Sequence, residues 1–412
     1  MRIVSADDAA REIARVGGRI AVQGGPAEPT PLIEAWRRAP ETAAGLSFCG
    51  LFIPNFNRID YAALHERSAL EVFLMSRDFR DSAKAGRVRT RPLGYTDAYR
   101  FLMRERIDVG VLNLAPAPGL FLSGSVSADV APAVFFNARF KVALINAAAP
   151  RIDDAVRTPL FNREAFDLVV ECAAPFLDAP PERADLDALA AEVAALIEDG
   201  DAIQFGIGKL PGALLARLTD RRRLRVRSGL YVDAVLDLLD AGALDPDEPM
   251  RGGVAIGAPA LYERLAAEPR AHFAPIPRTH GHADLAMIDR FVAVNSALEV
   301  DLLGQVNSEV LDGAQVSGIG GALDFVRGAR ASRGGRAIIA LPAEAGGRTR
   351  IVPKVEAVSI PRADADIIVT EHGAAHIRTL DLDARAEALI AIAAPAHRAA
   401  LAEAWRAMRQ RF

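Results

Sequence analysis

The chain has 412 residues, 51% of them hydrophobic and 25% charged, with a formal net charge of -4. That length suffices for two ordinary domains, and so small a charge gives no reason to expect nucleic acid or a membrane surface as partner. Met1 to Ala10 has no long apolar run, no stretch reaches the roughly 18 apolar residues that span a bilayer, and Cys49 and Cys172 sit in no C-x-x-C pair or metal-ligand cluster. A cytoplasmic chain without metal is therefore expected.

In chain order, a helical pattern runs from Ala6 to Val16 and leads into Gly17-Gly-Arg-Ile-Ala-Val-Gln-Gly-Gly25. Short apolar runs rich in β-branched residues predict buried strands at Ile107–Leu114, Lys141–Ile145 and Phe166–Val170. Residues 176–186, with two prolines among charges, read as a linker, because proline restrains its neighbours and ends helices. Leu186, Leu189, Val193, Leu196 and Ile197 recur at helical spacing and predict a helix over 184–198. Asp199-Gly-Asp-Ala-Ile-Gln-Phe-Gly206 follows, so helix, glycine turn, strand and Gln with nearby glycine occur twice. Further strands are predicted at Ala337–Leu341 and Asp366–Thr370. Strands alternating with helices predict mostly parallel sheets covered on both faces, in two similar α/β domains.

Five segments could carry chemistry. Gly206-x-Gly208 ends a strand just before a helix near Pro211, where missing Cβ atoms let a ligand approach backbone N–H groups. A tight turn without ligand is the alternative; the three-glycine dinucleotide fingerprint and the phosphate loop are both absent. Gly318, Gly320 and Gly321 form a flexible loop able to aim N–H groups at a thioester oxygen or phosphate, and Asp324 and Arg327 could pair on the following helix. Asn295, Glu299, Asp301, Gln305 and Asn307 stand among apolar residues, either as a hydrogen-bonded site wall or as a half-exposed strand and turn. Glu371 and His372 end a buried strand, placed either for a ligand or to cap a following helix. His280 and His282, two apart, could serve as general bases or lie in a polar loop; spacing shows no third metal ligand.

The blocks Asn295 to Ala329, Ala340-Leu-Pro342, Arg350-Ile-Val-Pro353, Val369-Thr-Glu-His-Gly373 and Arg385-Ala-Glu-Ala-Leu-Ile390 follow one another in an order and spacing that resembles the acetyl-CoA hydrolase/4-hydroxybutyrate CoA-transferase family of class I CoA transferases. Pro118-Gly-Leu-Phe-Leu-Ser-Gly124, Asn146 and Pro150-Arg151 extend the likeness to the first half. The resemblance implies two open, mostly parallel α/β domains, over 1–180 and 185–412, with the active site between them. It also implies coenzyme A or acyl-CoA as substrate, a second small-molecule acceptor, and a homo-oligomer. By the same resemblance, Gly206, Gly208, Asn295, Gly318, Gly320, Gly321 and Glu371 hold CoA, its thioester oxygen or the acyl group; for a reaction without glutamyl-CoA, Glu371, His280 and His282 are the candidate catalytic bases.

In that family a glutamate attacks the thioester and becomes a glutamyl-CoA. In Val226-Arg-Ser-Gly-Leu-Tyr-Val-Asp-Ala-Val235, Ser228 and Asp233 match the family, but Gly229 takes the glutamate's place. Ala115-Pro-Ala-Pro118 and Ala322 also replace polar family residues. Acyl-CoA hydrolysis or acyl transfer without glutamyl-CoA is the expectation. Ordinary CoA transfer through another acid, Glu263 or Glu299, and non-catalytic acyl-CoA binding are the alternatives.

Overall fold

A computed structural model describes residues 1–179 and 186–411; the linker at 176–186 and the start of the helix at 184–198 lie partly outside them. The chain forms two compact units: Met1–Pro180 with Gly229–Tyr231 and Pro249–Thr279, and Pro181–Ser228 with Val232–Glu248 and His280–Phe412.

The first unit carries a ten-stranded sheet. Its main path runs Arg2–Ile3, Leu168–Cys172, Ala138–Asn146, Ile107–Pro116, Arg19–Val22, Ser47–Gly50, Ala69–Val72 and Val88–Thr90, every pairing parallel. Ile107–Pro116 is buried along nearly its whole length, as expected of a central strand covered on both faces. Val109 and Val111 enter the core with Ile13, Trp36 and Leu144, whereas Leu112 and Leu114 face Ala143, Phe161 and Val169. The helix Ala6–Val16 starts at Ser5, whose hydroxyl accepts the Asp8 N–H, and stops at Gly17, where φ is 66°.

The second unit carries a six-stranded sheet in the order Arg225–Val226, Ala202–Phe205, Phe291–Ser296, Arg336–Ala340, Ile367–Thr370 and Gly373–His376. All pairings are parallel except the last. In the first unit Ser47–Gly50, Arg19–Val22, Ile107–Pro116, Ala138–Asn146 and Leu168–Cys172 are neighbours in the same relative chain order. The repeated opening in the sequence thus reflects a repeated sheet topology.

Three boundaries differ from the sequence reading. The helix expected over 184–198 is Asp187–Ala194. Leu196 and Ile197 keep the apolar spacing but lie in a turn whose Glu198 N–H is taken by the Asp201 carboxylate. The strand expected at Phe166–Val170 is Leu168–Cys172, because Phe166 follows a short 3-10 turn that Asn162 caps. No helix follows Glu371; the chain reverses directly into Gly373–His376.

Candidate active site

Ligands of open α/β sheets gather at the carboxyl ends of the strands. In the second unit those ends carry Gly206 and Gly208, then Asn295 on the neighbouring strand, then Glu371 beyond the intervening strand Arg336–Ala340. Two further strand spacings separate the Asn295 strand from that of Glu371, which puts Glu371 and the Gly206 strand roughly 14 Å apart across the sheet. Helix Lys209–Ala216 starts directly after Gly208, and Pro211 fits its first turn, where no amide partner is lost. Gly208 has φ 109°, which favours glycine, while a Cβ at Gly206 or Gly208 would meet nothing within 4 Å. Asn295 and Gln204 exchange amide hydrogen bonds, Asn295 Nδ2 donating to Gln204 Oε1 at 3.1 Å and Gln204 Nε2 to Asn295 Oδ1 at 3.4 Å. Glu371 Oε2 accepts the Ala343 N–H at 2.9 Å, and His372 Nε2 lies 3.9 Å from Glu371 Oε1.

The glycine loop and the two histidines form a second feature of this unit. Gly320 is left-handed, with φ 59°, and Gly321 is the N-cap of helix Ala322–Ala331, which no side chain caps. A Cβ on Gly321 would lie 2.5 Å from His280 Cδ2 and Nε2. The His280 ring, 3% exposed, also packs on Phe325 with centroids 4.4 Å apart. Burial pushes His280 down to about 3, so its imidazole is neutral at ordinary pH and a weak base. Its place beneath the loop suits positioning better than the expected proton transfer. His282 is exposed and opens a different helix, His282–Ala286. It lines a surface cleft with Arg327, Arg330, Asp364 and Arg378, whereas His280 is buried. Arg327 Nε donates to Asp364 Oδ2 at 3.0 Å.

The polar run after Asn295 is a self-satisfied turn. Asp301, fully buried, accepts the N–H groups of Leu303 at 3.0 Å and Gln305 at 2.8 Å. Asn307 Nδ2 donates to Glu299 Oε2 at 3.2 Å, and Ser359 Oγ to Glu309 Oε1 at 2.8 Å.

The first unit holds groups that the sequence reading passed over. Gly229 precedes the strand Leu230–Tyr231, which pairs with Val254–Ala255. The Gly253 N–H donates to the Gly229 carbonyl at 2.9 Å, and the Ala128 N–H donates to the Gly253 carbonyl at 2.9 Å. A Cβ on Gly253 would fall 3.0 Å from the Gly229 oxygen and 3.2 Å from Asp129 Cβ. The fold therefore packs Gly253 against both Gly229 and Asp129, which stands one hundred positions upstream of Gly229. Asp129 is 8% exposed, and desolvation pushes its carboxyl up to about 6, against the pull of the Val130 N–H. Nearby, Asn57 braces the Gly24–Gly25 turn: its Oδ1 accepts the Gly25 N–H and its Nδ2 donates to the Gly25 carbonyl, each at 3.0 Å. Asn57 and the Tyr61 hydroxyl also donate to Glu28, whose burial pushes it up to about 7.

A family model described as the acetyl-CoA hydrolase/transferase C-terminal domain matches residues 257–405. The 4-hydroxybutyrate coenzyme A transferase of Clostridium kluyveri is 29% identical, over 97% of this chain and 96% of its own. The succinyl-CoA:cyclohexane-1-carboxylate CoA transferase of Geobacter metallireducens is 32% identical, over 74% of this chain and 73% of its own. The chain belongs to the acetyl-CoA hydrolase/CoA-transferase family. The solved 4-hydroxybutyrate CoA-transferase of Porphyromonas gingivalis superposes with a TM-score of 0.80 at 26% identity, covering 100% of this chain and 98% of that one. The α/β architecture expected from the resemblance is thus the one observed, and the enzyme is of acyl-CoA transferase or hydrolase type. In this family member no described helix is long and apolar enough to cross a membrane.

Proposed function

We propose that this family member cleaves an acyl-CoA thioester without forming a glutamyl-CoA, with water as the simplest acceptor. The carrying observation is Gly229. It stands where the resemblance places the nucleophilic glutamate, and its carbonyl is already bonded to the Gly253 N–H. Glycine supplies no carboxylate, so the acyl group has no side chain there to move onto. The reading gives the Gly318–Gly321 loop and the uncapped start of helix Ala322–Ala331 the task of stabilising the thioester oxyanion. Gly206, Gly208 and Asn295 are its CoA-contacting groups. Glu371 is held by the Ala343 N–H.

CoA transfer through another acid is the second reading, favoured by relatives named as CoA transferases. Its two acids fit poorly: Glu263 is on the exposed side of helix Pro259–Ala267, and Glu299 is engaged by Asn307. The test is to incubate the protein with acetyl-CoA and longer acyl-CoAs, with and without acceptor carboxylates, and to measure free CoA and new thioesters. CoA release independent of carboxylate is expected. Exchange that requires a carboxylate contradicts the reading, and absence of turnover supports a binding protein instead.

A further inference from the structure

Resting on the hydrolytic reading of Gly229, we propose that Asp129 is the catalytic base that takes a proton from the attacking water. The geometry is local to the first unit. Gly253 lies between the two positions, with its N–H on the Gly229 carbonyl and its missing Cβ within 3.2 Å of Asp129 Cβ. A side chain at Gly253 would press on both, so the close packing favours glycine there. Asp129 Oδ1 accepts the Val130 N–H at 2.8 Å, and among the described residues no cationic side chain pairs with this carboxyl. Two residues earlier, the fully buried Ser127 hydroxyl has no hydrogen-bond partner and lies 3.5 Å from where a Gly25 Cβ would sit. A buried hydroxyl without a partner, two residues from a buried carboxyl without counter-ion, is the pattern of a segment that meets a polar group from outside the chain.

The reaction balances without further reagents. The water oxygen bonds to the thioester carbonyl carbon as its proton passes to Asp129. Collapse of the tetrahedral adduct breaks the carbon–sulfur bond. The departing thiolate takes the proton back from Asp129, leaving a carboxylic acid and CoA thiol. The titratable neighbour facing Asp129 is Tyr95, whose phenol burial keeps neutral. Glu28, braced by Asn57 and Tyr61, is a second carboxyl of the unit that burial raises.

Rates of thioester hydrolysis against pH for wild type, D129N and E28Q test the assignment. Wild-type kcat/KM should fall on the acid side with an apparent pKa near about 6. D129N should lower kcat about 100-fold or more with little change in KM, and should abolish that limb. E28Q should keep it. D129N turning over at the wild-type rate overturns the role of Asp129 while leaving hydrolysis intact. No wild-type turnover overturns the hydrolytic reading itself. Should D129N unfold, the wild-type profile decides: the absence of an acid limb between about pH 5 and 7 overturns the assignment.

Discussion

At Gly321 a single methyl group has no room. A Cβ would sit 2.5 Å from the His280 ring, which Phe325 backs. G321A should therefore cost about 1–3 kcal/mol in urea unfolding and displace the glycine loop; unchanged stability would show that His280 can yield. Glu28 gives a pH signature. Below its ordinary value of 4.5 both folded and unfolded chains hold the proton. Between 4.5 and about 7 the unfolded chain ionises first, so stability falls as pH rises, and above about 7 the loss is constant. The loss from this group is on the order of 3 kcal/mol. Urea unfolding at several pH values should show a decline in wild type that E28Q flattens; equal slopes in the two proteins would rule Glu28 out. Residues of this kind are poorly legible in sequence. His280 and His282 are two apart, yet one is buried and the other exposed, and Asp129 and Gly229 are linked only through Gly253, which packs against both. The glycines were easier to read, because backbone freedom is written in the residue type itself.

Among the elements, the Gln204–Asn295 amide pair ties two central strands at their carboxyl ends. Gln204 is 2% exposed, so N295A leaves a buried amide without its partner, a loss of about 1–3 kcal/mol. A double-mutant cycle with Q204A should show that the two losses do not add; simple additivity would mean that the pair contributes nothing. The interior strands were legible because continuous apolar, β-branched runs suit a sheet covered on both faces. The hairpin after Thr370 was not. Ala374, Ala375 and His376 carry no strand pattern, and the reversal rests on a two-residue turn before Gly373, whose φ is 124°. The end of helix Asp187–Ala194 was hidden for the opposite reason, since Ile197 remains buried beyond it.

Over the whole molecule, the repeated strand order is the feature on which sequence and structure agree most fully. Glycine just before Arg19–Val22 and Ala202–Phe205 marked it, and the family relationship accounts for the scaffold. What the sequence alone isolates is Gly229, a single position at which scaffold and chemistry part. G229E should gain carboxylate-dependent CoA exchange, measured as new thioester in the presence of acetate; failure to gain any would contradict the assignment of the position. The most direct measurement of the central claim is a single-turnover reaction in water enriched in oxygen-18. Attack by water on the thioester predicts label in the released acid and none in any protein carboxylate. Label in an aspartate or glutamate side chain of the protein would reveal a covalent acyl-enzyme and contradict the account.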